Sequence, residues 1–154
     1  MTQQDFLNCI DRILKDFHFK RKGKDYYSQG SSDLLVIIHP QKSSYSTVYY
    51  LNVCFSLVEY DNQGNIRVPG WREGDTYGRI PNQLYDGDNY SFDYSKYETT
   101  EDPYLISSIS TYTSQVIYPT LAGGVTYILS HPEIFPYGWL SPRLKKLRDD
   151  MQPT

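Results

Sequence analysis

Apolar residues recur every three or four positions near the start of the chain: Phe6, Ile10, Ile13, Leu14 and Phe17, with Asp5, Asp11, Arg12, Lys15 and Asp16 between them. That period predicts an amphipathic helix over about residues 2–17, with Thr2 as its N-cap. It ends before the basic run Lys20-Arg21-Lys22-Gly23-Lys24, where Gly23 permits a turn. The signals then become those of strands. Residues 25–29 form a short one. Residues 34–39 form a stronger one, apolar on both faces through Leu34-Leu35-Val36-Ile37-Ile38 and ended by Pro40. Residues 47–60 give the cleanest alternation, with Tyr49, Leu51, Val53, Phe55 and Leu57 on one face and Tyr50, Asn52, Cys54 and Ser56 on the other. The turn Asp61-Asn62-Gln63-Gly64-Asn65 leads to a hairpin partner at 66–71, with Pro69 placing it at a sheet edge.

Residues 72–102 carry few aliphatic side chains and read as a long acidic, Tyr-rich loop with a short strand near 76–80. Helical periodicity returns after Asp102-Pro103, a capping acid followed by proline, with Leu105, Ile106, Ile109, Tyr112, Val116 and Ile117 on one face. Pro119 breaks or kinks this helix, and Gly123-Gly124 weakens its continuation. A last helix fits residues 142–151, capped by Ser141, with Leu144, Leu147 and Met151 as its stripe. The strand links are too short for crossover helices. The expected fold is therefore α+β: an antiparallel meander of about four strands packed against an N-terminal helix and C-terminal helices, in a single domain over 1–154.

Composition narrows the function. A chain of 154 residues with 39% hydrophobic and 21% charged residues can bury a core of its own without disulfides or metal. The net charge of −3 argues against a general nucleic-acid coat or a polybasic membrane protein. No run approaches the roughly 20 apolar residues that span a bilayer. Cys9 and Cys54 form no C-x-x-C pair, and the first residues carry no secretory signal, so a reducing, cytoplasmic setting is expected with both thiols inert.

Three segments together look like a bacterial pattern: Phe17-His18-Phe19-Lys20-Arg21-Lys22-Gly23-Lys24-Asp25-Tyr26-Tyr27, then Leu34 to Ser44 with Gln41-Lys42-Ser43-Ser44 at its end, then Tyr49-Tyr50-Leu51-Asn52-Val53. They resemble the bacterial domain-of-unknown-function family 4304 over roughly residues 5–80. Arg79-Ile80 is a weak match to a further Arg–aliphatic pair of that family, and His18 stands where the family usually has Gly. The resemblance implies an α+β fold and no catalytic residue. Relatives of this sort sometimes sit near toxin–immunity loci, so the resemblance also points to a protein-binding role.

No G-x-S-x-G, Walker A, G-x-G-x-x-G or paired metal-ligand spacing occurs, so no catalytic residue, metal ligand or cofactor is assigned. Residues 59–102 hold ten acids against four bases, net −6, while the rest of the chain is +3. Within this stretch Tyr85, Asp86, Asp88, Tyr90, Asp93 and Tyr94 interleave aromatics with acids, as a surface for a basic protein partner would: tyrosines anchor and carboxylates steer. The leading expectation is accordingly a small cytoplasmic protein-binding module, possible immunity type included. One alternative is a phosphate or nucleic-acid binder through Lys20, Arg21, Lys22 and Lys24, with Tyr26 and Tyr27 as stacking platforms, nucleic acid being disfavoured by net charge. Another is an enzyme with an unrecognised site. Gln41, Lys42 and Ser44 offer donors to an anion or form a plain hairpin connection. Arg143, Lys145, Lys146 and Arg148 read as a solvated helix face.

Overall fold

The computed structural model describes residues 1–30, 33–83, 89–98, 103–134 and 139–151. Helix α1 spans Gln3–Asp16. Its first turn is closed by a capping box: the Thr2 hydroxyl accepts from the Asp5 N–H at 3.1 Å, and the Asp5 carboxylate accepts from the Thr2 N–H at 3.2 Å. The chain leaves the helix through His18, whose φ of +65° lies in the left-handed region that favours glycine.

The basic run is a strand rather than a turn. Strand β1 (Lys20–Lys22) pairs antiparallel with β2 (Asp25–Gln29), and only Gly23 and Lys24 form the connection, with Gly23 at φ +61°. The meander continues through β3 (Leu34–Lys42) and β4 (Val48–Leu57), paired over nine residues. Pro40 does not end β3, contrary to the sequence expectation. Its partner across the ladder is Leu51, whose carbonyl accepts from the Ile80 N–H at 3.0 Å and so faces away from β3. The Pro40–Leu51 pair exchanges no main-chain bonds, and proline's missing N–H costs the ladder nothing.

The hairpin after β4 is shorter than expected. Strands β5 (Glu59–Tyr60) and β6 (Ile66–Arg67) form a separate two-stranded ribbon, and Trp71 sits beyond it in a 3-10 turn, Trp71–Glu73. The expected strand near 76–80 is β7 (Thr76–Arg79) on β4. The Tyr-rich stretch adds β8 (Ser91–Asp93), also on β4. This strand escapes the sequence pattern because it is three residues long with one buried side chain, Phe92.

Helix α2 (Pro103–Tyr112) runs into a π-helical turn, Thr113–Ile117, and then α3 (Tyr118–Ser130). The wider turn sits where Pro119, with no N–H and a ring that crowds the preceding carbonyls, forbids a regular α-helix. A second break falls at Gly124, with φ +69°; the helix resumes at Val125, whose N–H donates to the Asp33 carboxylate at 3.3 Å. Helix α4 (Pro142–Met151) closes the fold. Of its expected stripe only Leu144 is buried, while Leu147 and Met151 are exposed, because α4 is held by its first turn alone.

Period two along the strands and period 3.6 along the helices meet in one core. Phe6, Ile10 and Ile13 share it with Tyr49, Leu51, Val53 and Phe55, together with Leu105, Ile109, Ile117, Leu121 and Ile128. Phe17 and Leu57 pack at its margin. On the other face Leu35, Ile37 and Cys54 make a smaller cluster beneath Tyr27, Val58, Ile66, Val68, Trp71 and Tyr77. No described helix is long and apolar enough to cross a membrane. Val53→Ala is expected to cost roughly 1–3 kcal/mol through lost apolar burial and a residual cavity, read from urea unfolding; a variant as stable as wild type would contradict the shared core. His18→Gly is expected to raise stability by about 0.5–1 kcal/mol, because glycine meets no Cβ penalty at this φ. The same unfolding experiment checks it.

Candidate functional site

Sheet register places one polar row across four strands on the face opposite α1. Asp25 in β2 lies beside His39 in β3; His39 pairs with Asn52 in β4, and Asn52 with Arg79 in β7. Nδ1 of His39 lies 2.5 Å from an Asp25 oxygen, so the carboxylate fixes that nitrogen as the N–H donor. The imidazole stacks on Trp71 with centroids 4.8 Å apart and planes at 11°. The Asn52 amide donates to Gln41 at 2.8 Å and accepts from Arg79 Nε at 2.9 Å. The Arg79 guanidinium lies 4.6 Å from the centre of the Tyr50 ring, and that of Arg72 lies 5.2 Å from Trp71. Tyr77 meets Trp71 edge-on at 6.4 Å and Trp139 at 5.2 Å. A notch of about 240 Å³ lies among Asn52, Trp71, Tyr77, Gly78 and Arg79. Gln41 of β3, Asn52 of β4 and Arg79 of β7 are thus joined by hydrogen bonds.

A second concavity, about 620 Å³, lies between α1 and the β1–β2 and β3–β4 strands. Gln3, Gln4, Asn8 and Asp11 of α1 line one side, and Arg21, Lys24, Tyr26, Gln41, Lys42 and Tyr49 line the other. Burial alone would raise the Asp11 carboxyl, but hydrogen bonds from Lys15 and Tyr26 and the charges of Lys15 and Arg21 outweigh it and hold it low. Tyr26 donates to Asp11 at 2.8 Å, and burial together with that carboxylate pushes its phenol up.

The third polar cluster is a latch. Asp75 is 1% exposed and accepts from Arg143 Nε at 2.6 Å and Nη2 at 2.7 Å, from the Ser141 hydroxyl at 2.6 Å and from the Leu57 N–H at 2.7 Å. Arg143 also reaches Glu59. Ser141 caps α4 as well, its hydroxyl accepting from the Leu144 N–H at 3.2 Å. Desolvation pushes the Asp75 carboxyl up, yet the hydrogen bonds from Arg143, Ser141 and the Leu57 N–H leave it below the ordinary carboxylate range. Arg143 is therefore no solvated residue of a charged helix face: its guanidinium compensates a carboxylate 68 residues away.

The residues named from sequence fall in different places. Tyr85, Asp86 and Asp88 lie outside the described residues, as does the capping acid Asp102. Asp93 accepts from the Thr47 hydroxyl at 2.6 Å and from the Ser95 N–H at 3.1 Å, holding the start of the Tyr94–Lys96 turn. Tyr94 packs on Phe6 and Tyr49, at 6.3 and 6.2 Å between ring centres. Tyr90 is half-buried and lines a cavity with Tyr112 and Arg79. Of the basic run, Arg21 bonds Asp11 and the Gly23 carbonyl, and Lys22 bonds the Val68 carbonyl at 2.8 Å; Lys20 and Lys24 are exposed. The stacking platforms do not exist as expected: Tyr26 is 4% exposed and Tyr27 packs into the cluster on the opposite face. Cys9 and Cys54 are buried, form no disulfide and lie in the clusters on opposite faces of the sheet. Burial, then the charges of Asp75 and Asp25, push the Cys54 thiol up to about 12, so it supplies no thiolate.

Compared with protein-family models, curated proteins and solved structures, the chain matches none.

Because the Asp75 carboxyl is depressed in the folded chain, it stabilises the fold above its unfolded value of about 3.9, and that contribution disappears as pH falls through the folded value. Asp75→Asn is expected to cost roughly 2–4 kcal/mol at pH 7 by leaving Arg143 poorly compensated. It should also flatten part of the loss of thermal stability below about pH 4. Parallel melting of wild type and variant from pH 7 downwards checks both; identical acid profiles would show that the latch carries no such linkage.

Proposed function

We propose that this chain is a small protein-binding module whose working surface is the sheet face opposite α1. The observation behind this reading is where the aromatic side chains lie. Both tryptophans of the chain, with Tyr27, Tyr50 and Tyr77, collect on the face whose apolar cluster contains no residue of α1, α2, α3 or α4. Trp139 is 43% exposed although such a ring gains much by burial. Tryptophan, tyrosine and arginine are the residues on which protein interfaces concentrate their binding energy, and here Arg72 and Arg79 are already parked on aromatic rings. Their side chains lose little further freedom on association.

The cover of this face, β5, β6, the Trp71 turn and β7, is itself close to neutral, with four acids against three arginines over 59–79, and most of the net −6 of the stretch 59–102 is carried by the residues that follow it in sequence. That charge favours a basic partner, steering its approach while the aromatic groups set how long it stays. A basic protein neutralised by occlusion, as by an immunity protein, fits this reading, and so does the resemblance of residues 5–80 to family 4304. The buried, protonated thiol of Cys54 and the internal engagement of Asp75 favour recognition over catalysis.

The test is native capture of a partner by the wild-type chain, followed by binding kinetics with purified partner. Trp139→Ala should speed dissociation and weaken binding about 10–100-fold. Tyr45→Ala, at a fully exposed position between β3 and β4, should leave it within about twofold. A partner that holds the Trp139→Ala variant as firmly as wild type would place the interface elsewhere.

A further inference from the structure

We propose that the cleft between α1 and the first two hairpins is a binding site for a small phosphorylated polyol, of the sugar-phosphate class. It does not involve Trp139, although it borders the polar row of the protein-binding face at His39 and Gln41. Two polar segments separated in sequence, Arg21 to Lys24 and Gln41-Lys42, arrive at the same cleft because β1–β2 and β3–β4 present their ends side by side, and α1 lies along it. The cleft holds three cations, Arg21, Lys24 and Lys42, against the single carboxylate of Asp11, in a chain whose net charge is −3. Its volume of about 620 Å³ lies within the range of small-molecule sites, roughly 300–1,000 Å³.

The rest of the lining narrows the ligand. Four primary amides, Gln3, Gln4, Asn8 and Gln41, face the cleft. Each carries donors and an acceptor, the combination that reads hydroxyl groups. All four are already oriented: Gln3 donates to the Tyr49 hydroxyl at 2.9 Å, Gln4 donates to the Asn8 amide oxygen at 2.8 Å, and Gln41 accepts from Asn52 at 2.8 Å. Gln41 accordingly keeps its two N–H groups as donors. Arg21 is held by Asp11 and the Gly23 carbonyl, so its position is set before a ligand arrives. The rings in the cleft offer little face to a nucleobase: Tyr26 and Tyr49 are each 4% exposed, and His39 is stacked on Trp71 and tied to Asp25. Cations for a phosphate, amides for hydroxyls and little stacking surface describe a phosphorylated sugar better than a nucleotide.

Calorimetric titration of the full chain with glucose 6-phosphate, glucose, inorganic phosphate and AMP tests this. Glucose 6-phosphate should bind saturably, about tenfold more tightly than inorganic phosphate, and glucose should not bind at millimolar concentration. The double variant Lys24→Gln/Lys42→Gln changes two exposed side chains. It should melt like wild type and bind glucose 6-phosphate at least about tenfold more weakly. Failure of glucose 6-phosphate to saturate, equal binding by the double variant, or tighter binding of AMP would each overturn the assignment. None of these results bears on the partner affinity of Trp139→Ala, so the two surfaces fail or stand separately.

Discussion

Five consecutive apolar residues on a strand, Leu34-Leu35-Val36-Ile37-Ile38, place side chains on both sides of a sheet, and neither side tolerates water. All five are fully buried. The rest of the architecture answers this demand. The even-numbered side receives α1, α2 and α3 and the large core. The odd-numbered side, where Leu35 and Ile37 lie with Cys54, has no residue of the described α-helices in its apolar cluster and is roofed by the small ribbon, the Trp71 turn and aromatic rings. A thin roof of short elements leaves part of its aromatic surface facing solvent. The asymmetry of the two layers therefore generates the candidate interface: the surface free for a partner is the one whose cover is thinnest.

The polar groups follow the same geometry. Asp25, His39, Asn52 and Arg79 lie beyond the apolar stretch on the thinly covered side, where the strands run on past Ile37 and Cys54. Burial of Asn52 is tolerated because both ends of its amide are paired. His39 is oriented by a carboxylate on one edge and a tryptophan face on the other. Such a row is rigid, and rigidity suits recognition: a partner or ligand meets groups whose ordering entropy has already been lost in folding.

Much of the fold was legible because two periods were clean. The 3.6 period of Phe6, Ile10 and Ile13 and the twofold alternation from Tyr49 to Leu57 identify the elements and the faces that join. What stayed hidden depended on register or on distance. Asp25 meets His39 only once β2 and β3 are paired, and Asp75 meets Arg143 across 68 residues with no local pattern to announce it. Strand β1 was read as a turn because three consecutive cations look solvated; they do face solvent, and pairing with β2 rather than burial makes them a strand. Two residues of the acidic aromatic segment carry internal roles that one dimension does not show: Asp93 serves a 3-10 cap and Tyr94 the core beside Phe6.

The latch at Asp75 also bears on the order in which this chain can become native during synthesis. The ribosome delivers β7 long before Ser141 and Arg143, so for the length of more than half a hundred codons the carboxylate that will lie at the sheet edge lacks its cation. A bare carboxylate in that site is costly, and the edge of the sheet cannot settle until α4 emerges. The N-terminal meander and α1 are free to collapse early, but the sheet edge waits for α4. Ser141, which caps α4 and donates to Asp75, couples the birth of that helix to the closing of the sheet, and so ties the sealing of the sheet edge to the synthesis of α4.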